Sequence, residues 1–235
     1  MSDLFLLIMG VQGSGKGTQA AEITRKYGIP HVSTGDLFRA MQGRTDELAE
    51  RIRATLTAGK LVDDNITNEV LADRLNQPDA AHGALLDGYP RNHVQAQFLT
   101  DYLAKRGQKL TAVLLLELDL YNAFKRSFGR VSAKDGRTFN IYSNAQGMTW
   151  SFEKDPDGKF PPRLVATLTG TGEELRRRED DANAFGVVER IEKFLSETQP
   201  LLPKYEAEGL LRRVNADQSI EAVTSALFAE IEKTK

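Results

Sequence analysis

Six consecutive apolar residues, Leu4-Phe5-Leu6-Leu7-Ile8-Met9, run directly into Gly10-Val11-Gln12-Gly13-Ser14-Gly15-Lys16-Gly17-Thr18. That order predicts a buried strand, a glycine-rich loop and the start of a helix. Such a loop turns successive backbone N–H groups toward one concavity at a helix N-terminus, where an anion binds. Glycine is needed because a Cβ would keep the backbone from closing on phosphate oxygens. Lys16 adds a point charge that reaches the outer phosphates. A plain glycine turn is the alternative, and three ordered glycines with a lysine behind a strand argue against it. The chain is therefore read as binding a nucleoside triphosphate through Gly13, Ser14, Gly15, Lys16, Gly17 and Thr18. The loop departs from the common G-x-x-x-x-G-K-[ST] pattern at one place: Gly17 follows the lysine, and the hydroxyl comes at Thr18.

At 235 residues the chain is one large domain or a core with insertions, long enough to bury its own core. Lys and Arg number 31 against 33 Asp and Glu, so no bulk field draws it to nucleic acid or anionic lipid. Basic residues must act locally. With no cysteine, disulfides and cysteine-ligated metal sites are excluded, which fits a reducing compartment. The first apolar run is too short for a signal h-region or a membrane span. The reading is a soluble, cytoplasmic protein.

Strands are predicted at Leu4–Met9, Pro30–Val32, Ala84–Leu86, Ala112–Leu118 and Leu211–Val214. Helices are predicted at Lys16–Tyr27, Asp36–Gln42, Asp46–Ala58 (with Thr45 as N-cap), Thr67–Asn76, His93–Arg106, Tyr121–Ser127, Glu173–Leu195 and Ile220–Glu232. Strands alternating with helices imply an α/β fold with a five-stranded parallel sheet, and ligands gather at the carboxyl ends of its strands. Residues 33–62 and 129–181 break the alternation and read as insertions.

Three further constellations carry chemistry. Ser33-Thr34-Gly35-Asp36-Leu37-Phe38-Arg39 ends the second strand. It reads as a helix cap and also as a second nucleotide pocket, with Thr34 toward a base and Arg39 toward a phosphate; both readings hold together. Leu85-Leu86-Asp87-Gly88-Tyr89-Pro90-Arg91 puts a carboxylate at the end of a buried strand, where a Mg²⁺–water cluster is held beside a phosphate loop. Its turn would aim Arg91 into the cleft; an ordinary strand-end turn is the alternative. Arg126 and Arg130 precede the second insertion and Arg178 and Arg190 follow it, a placement that favours convergence on phosphates, whereas Arg176-Arg177-Arg178 alone would read as a solvated helix face. His31, His82 and His93 are scattered and are read neither as metal ligands nor as catalysts.

Taken together, these residues resemble the adenylate kinase family over nearly the whole chain. The loop with glycine after the lysine is similar to that family's own form. Ser33 through Arg39, Gly59-Lys60-Leu61-Val62, and Asp87 through Arg91 with Gln95 are similar to its monophosphate site. Thr171-Gly172-Glu173-Glu174-Leu175 leading to Arg178 and Asp180-Asp181 is similar to its lid exit. The resemblance implies a P-loop three-layer fold with a core at 1–32, 63–128 and 182–235, an AMP-binding insertion at 33–62 and a lid at 129–181. It implies transfer from MgATP to AMP, giving two ADP. The loop amides, Lys16 and Thr18 would hold ATP phosphates. Arg39, Arg91 and Arg178 would clamp AMP and the transferred group, joined by Arg190. Arg126 would stack on the ATP adenine, with Gln218 in the adenine-facing loop, and Arg130 would meet the γ-phosphate. Thr34, Lys60, Val62, Gly88 and Gln95 would line the AMP pocket, Gln95 reading the base. Asp36 and Asp87 would order Mg²⁺ through water. A monomer without zinc, nucleic acid or membrane partner is implied.

The chain departs from that family's pattern at several points. Gln12 stands where proline is usual, and Val131 where a second arginine is common. The interval from Asp181 to Arg190 is one residue longer than is usual in that family. The lid carries extra sequence around Tyr142–Asp157, whose Trp150 and Phe152 are expected to pack a small core of the lid's own. The alternatives are a pyrimidine or broad-specificity monophosphate kinase, a shikimate- or gluconate-type kinase, and a nucleotide-sensing module without turnover. Thr34 argues for AMP, and intact Lys16, Asp87, Arg91 and Arg178 argue against the sensing module.

Overall fold

A computed structural model describes residues 3–234 apart from 42, 58–62, 155–157, 159–161, 178–180 and 182, and apart from the side chains of 39, 41 and 53–57. In chain order the elements are β1 (Leu4–Met9), α1 (Lys16–Tyr27), β2 (His31–Ser33), α2 (Thr34–Met41), α3 (Glu47–Thr57), α4 (Asp64–Leu75), β3 (Gly83–Asp87), α5 (His93–Lys105), β4 (Ala112–Glu117), α6 (Leu120–Phe128), β5 (Arg130–Ser132), β6 (Thr138–Asn140), β7 (Met148–Glu153), β8 (Arg163–Leu168), α7 (Ala184–Lys193), α8 (Leu202–Ala207), β9 (Leu211–Asn215) and α9 (Ile220–Glu232). They form two compact units, one of residues 1–10, 15–117 and 196–235, the other of 11–14 and 118–195.

The first unit is built on a five-stranded sheet in the order β2-β3-β1-β4-β9, parallel throughout. All six residues of β1 are buried, as a central strand covered on both faces requires. Register sets the functional edge: Ile8 pairs with Asp87 and Asp87 with Ser33, so the carboxyl ends of β1, β2 and β3 lie level. All five predicted strands are present within one residue at either end. Helix ends follow local chemistry. Asp63, Asn92 and Ser219 cap α4, α5 and α9 by accepting from Ile66 N, Gln95 N and Ala222 N. At α3 the capping carboxylate is Asp46, which accepts from Ala49 N at 3.2 Å, and not Thr45. Helix α4 begins at Asp64 rather than Thr67 because Asp63 caps it.

The second unit holds two antiparallel hairpins, β5–β6 and β7–β8, with helices α6 and α7. Val131, Ala133, Phe139, Ile141, Met148, Leu164, Ala166, Leu168 and Leu175 form the hairpins' core. Two expectations fail here. The helix predicted over Glu173–Leu195 begins only at Ala184; it runs as an α-helix to Lys193 and continues as a π-helical turn over Phe194–Thr198. Upstream of it the backbone is extended: Arg176 exchanges both backbone bonds with Ser132, and Leu175 N donates to Ala166 O at 2.8 Å. Pairing and the burial of Leu175 override the helical propensity of the Glu-Glu-Leu-Arg run. Trp150 and Phe152 do not fill the core. Cross-strand register puts them opposite Ala166 and Leu164, but they remain 43% and 45% exposed at its rim. There Phe152 stacks on Phe128 at 6.1 Å between centroids, and Trp150 meets Phe152 edge-on at 5.7 Å.

Strand β3 starts at a residue that tolerates no side chain. A Cβ on Gly83 would lie 2.5 Å from the Leu4 carbonyl oxygen on β1, a backbone atom that cannot yield. Gly83→Ala is expected to lower stability by about 1–3 kcal/mol, the range for overpacking a core. Urea unfolding with an unchanged m-value checks it.

Candidate active site

The phosphate loop leaves β1 through Gly10 and reaches α1 through Gly13 and Gly15, with φ of +149°, +88° and +95°. These angles are ones that side-chain-bearing residues rarely adopt. Gly15 occupies the N-cap of α1, and no side chain caps that end. Helix ends of this kind, with the positive end of the helix dipole and no side-chain cap, are where anions bind. Lys16 Nζ donates to the Gly10 carbonyl at 2.7 Å across the loop. Ser14 Oγ is buried and makes no hydrogen bond among the described residues, an orphaned hydroxyl that an oxygen-rich ligand would satisfy.

A second group gathers at the carboxyl ends of β2 and β3. Thr34 Oγ1, buried at the start of α2, donates to the Gly88 carbonyl at 3.0 Å. Gly88 has φ +75°, and a Cβ there would sit 2.9 Å from Thr34 Oγ1. Arg91 Nε donates to the same carbonyl at 3.0 Å, which draws the exposed guanidinium back toward the strand end. Gln95 is buried; its Oε1 accepts from Arg91 N at 2.8 Å and its Nε2 donates to Asp64 Oδ1 at 2.7 Å. Asn92 Nδ2 donates to Asp64 as well, and the Tyr89 hydroxyl lies between Asn68 Oδ1 and the Gln95 carbonyl. Burial and the nearby Asp64 charge push the Tyr89 hydroxyl pKa up, so it remains a neutral donor. Thr34, Gly88, Arg91 and Gln95 are thus brought together. Asp87 ends β3 with Oδ2 3.4 Å from His31 Nε2, and Asp36 lies in the first turn of α2. Gln218 is exposed after β9 and donates to the Asn215 carbonyl at 2.9 Å. Lys60, Val62 and Arg178, and the side chain of Arg39, lie outside the described residues.

In the second unit, Asp181 is fully buried and accepts from two arginines. Arg130 reaches it through Nε at 3.0 Å and through Nη2; Arg190 reaches its other oxygen through Nη2. Arg190 Nε also donates to the Gly186 carbonyl at 3.3 Å, one turn earlier on α7. Arg126 stands on α6, where its carbonyl accepts from Asn140 Nδ2 at 3.0 Å. Gly129 follows that helix, and a Cβ there would meet Tyr142, Asn140 and the Lys125 carbonyl within 3 Å.

Mg²⁺ requires near-octahedral oxygen, keeps several waters and takes one or two carboxylates together with substrate phosphates. Among the described residues no group of three or more His, Cys, Asp or Glu could cage a metal. Asp87, with a partly exposed carboxylate, and Asp36 offer the outer-sphere donors that such an ion uses. The residues present fit the ion held through its own waters.

Sequence reasoning undervalued three residues. Asp181 was legible only as one of a pair of acids, since nothing in a linear sequence reports that one carboxylate is buried between two guanidiniums. Asp64 looks like an ordinary first-turn acid until Asn92 and Gln95 close on it. His31 is isolated in sequence, but it pairs with Leu85 on the neighbouring strand, and its ring reaches the carboxylate of Asp87 two residues further along.

A glycine loop between the central parallel strand and its helix, with an aspartate at the end of the neighbouring strand, defines a P-loop nucleotide-binding protein. The chain belongs to the adenylate kinase family, whose model, Adenylate kinase, matches residues 8–210. Adenylate kinase of Anaeromyxobacter sp. (strain Fw109-5) is 36% identical over 230 residues, covering 96% of this chain and the whole of that protein. Adenylate kinase of Listeria innocua is 37% identical over 229 residues, 97% of either chain. That of Symbiobacterium thermophilum is 37% identical over 223 residues, 94% of this chain and 95% of the relative.

Removing the Asp181 charge leaves two guanidiniums facing each other. Breaking a buried pair costs about 3–5 kcal/mol, and the one-fifth exposure of both arginines discounts the figure toward the lower end. Asp181→Asn is expected to destabilise the protein by about 3 kcal/mol in thermal or urea melts.

Proposed function

We propose that these residues carry out reversible phosphoryl transfer, MgATP + AMP ⇌ MgADP + ADP, the reaction of the family to which the chain belongs. One observation carries the assignment. A phosphate loop and a second polar pocket, Thr34 with Gly88, Arg91 and Gln95, sit at the same carboxyl edge of one parallel sheet. An enzyme that joins two nucleotides needs both sites.

An AMP phosphate oxygen attacks the γ-phosphorus, the bond from that phosphorus to the β–γ bridging oxygen breaks, and ADP leaves. The attacking oxygen is already anionic, so no general base is required. The protein's task is to position oxygens and neutralise developing charge. The amides of Gly13 to Thr18 and Lys16 hold the ATP phosphates. Thr34, Arg39, Lys60, Val62, Gly88, Arg91 and Gln95 hold AMP, with Thr34 and Gln95 selecting adenine. Gln95 would exchange its bonds to Arg91 N and Asp64 for the base. Arg126 stacks on the ATP adenine, near which Gln218 lies. Arg130, Arg178 and Arg190 bring guanidinium forks to the transferred group. Asp36 and Asp87 order Mg²⁺ through water; when bound, that ion offsets charge on the phosphate oxygens. The domain reading stays a core at 1–32, 63–128 and 182–235, an AMP-binding insertion at 33–62 and a lid at 129–181. The protein works as a cytoplasmic monomer on ATP, AMP and ADP, without nucleic acid or membrane partners and without structural zinc. No helix among the described residues is long and apolar enough to cross a membrane.

A coupled assay offering AMP, CMP, UMP and GMP in parallel with MgATP tests the reading: strong ADP production with AMP alone is expected. Comparable turnover of CMP or UMP would move the assignment to a broader monophosphate kinase. No turnover despite ATP binding would favour a sensing module. Lys16→Ala should cut kcat by about 10²-fold or more, the scale for losing one preorganised charge contact in the transition state. Arg91→Ala should raise the AMP KM and lower kcat together, and an unchanged AMP KM would count against the clamp.

A further inference from the structure

Gln12 occupies the apex of the phosphate loop, and its neighbours pin it there. Val11 is buried with Ala123, Phe128, Val187 and Ile191 from α6 and α7. Gly13 approaches α6 so closely that a Cβ would lie 2.5 Å from the Ala123 carbonyl and 2.7 Å from Ser127 Oγ. The side chain between these two anchors ends against the paired arginines. With its amide oriented so that the oxygen faces donors, Gln12 Oε1 accepts from Arg190 Nη1 at 3.2 Å and from Arg130 Nη2 at 3.1 Å. The two guanidiniums thus share two acceptors, a buried carboxylate from Asp181 and a neutral amide oxygen from the phosphate loop, and Arg190 also donates to the Gly186 carbonyl.

The neutrality of the second acceptor has a chemical consequence. Two guanidinium charges against one carboxylate leave the cluster with a net positive charge. A second carboxylate would cancel it, and an apolar residue would leave the forks without that contact. An amide oxygen orients them, leaves the charge available to an anion, and yields to a phosphate oxygen, since charge-assisted bonds to guanidinium are the stronger. We infer that Gln12 is a positioning residue of the phosphoryl-transfer site: it holds Arg130 and Arg190 ready for phosphate and hands them over when the anion arrives. The inference rests on the phosphate-binding roles proposed above for those arginines. Proline, which the family resemblance leads one to expect at this position, has no side-chain acceptor to offer.

The full-length protein tests it with Gln12→Met, close in size but without the acceptor, and Gln12→Glu, which keeps an acceptor and adds a charge. Gln12→Met is expected to lower kcat about tenfold while the ATP KM stays within twofold. Gln12→Glu is expected to raise the ATP KM about tenfold or more and to raise the melting temperature, since it grips the arginines more tightly and cancels their charge. A side chain that merely filled the loop would give no such KM-against-kcat split. Gln12→Asn, shorter by one methylene, serves if Gln12→Met fails to fold, and is expected to lower kcat in the same direction. A double-mutant cycle of Gln12→Met with Arg190→Met, read by melting without substrate, reports the contact independently of turnover. Additive melting shifts, or a Gln12→Met enzyme within twofold of wild type in both kcat and KM, would overturn the proposal. If wild type makes no ADP from MgATP and AMP, the assigned reaction fails. The transfer role of Gln12 then falls with it, and the melting cycle still decides whether the contact exists.

Discussion

The burial of β1 is the constraint on which the first unit depends. Its six side chains are all removed from water, each large one contributing about 1.5–3 kcal/mol. It pairs with β3 on one edge and β4 on the other, so it cannot slip without exposing its own residues and theirs. Because the strands are parallel, the point where β1 stops is also the level at which β2 and β3 stop. The start of the loop, Thr34 and Asp87 are therefore placed by the same register that forms the core. A change of one residue in pairing would damage stability and site together.

The second unit solves a different problem, the holding of two guanidiniums that must be available to an anion. Surface arginines would lose side-chain entropy on ordering and gain little. Sharing one buried carboxylate orders Arg130 and Arg190 before any ligand arrives, at the cost of desolvating Asp181. The apolar contacts of Val11 with α6 and α7 tie the loop apex into the same unit as the arginines. Residues adjacent in sequence, such as Gly10 and Val11, thus belong to different packing units.

How far the sequence could be read depends on the range of the interactions involved. The five strands and helices α1 and α9 were legible because periodicity, glycine stops and caps are local signals. The glycine loop was legible for the same reason, and so was the grouping of Thr34 with Gly88, Arg91 and Gln95. The failures lie where distant pairing decides. The run from Glu173 to Arg177 has the composition of a helix, but it is held extended by Ser132 and Ala166. Trp150 has the composition of a core residue, yet smaller side chains had already closed the core beneath it. Asp181 and Gln12 are single polar residues whose meaning comes from partners more than a hundred positions away or across an insertion. Val131, a departure from the family pattern by sequence, is explained by packing: it faces Phe139 inside the hairpin core.

Among the described residues that hairpin core is made of nine hydrocarbon or thioether side chains, in a chain without cysteine. Its cohesion is therefore indifferent to thiol oxidants and to chelators of thiolate-bound metal. Its sensitivity is thermal. Apolar burial weakens on cooling, and so small a core has little reserve. The cohesion that Val131, Phe139, Met148 and their neighbours supply is therefore of the kind that falls off on cooling.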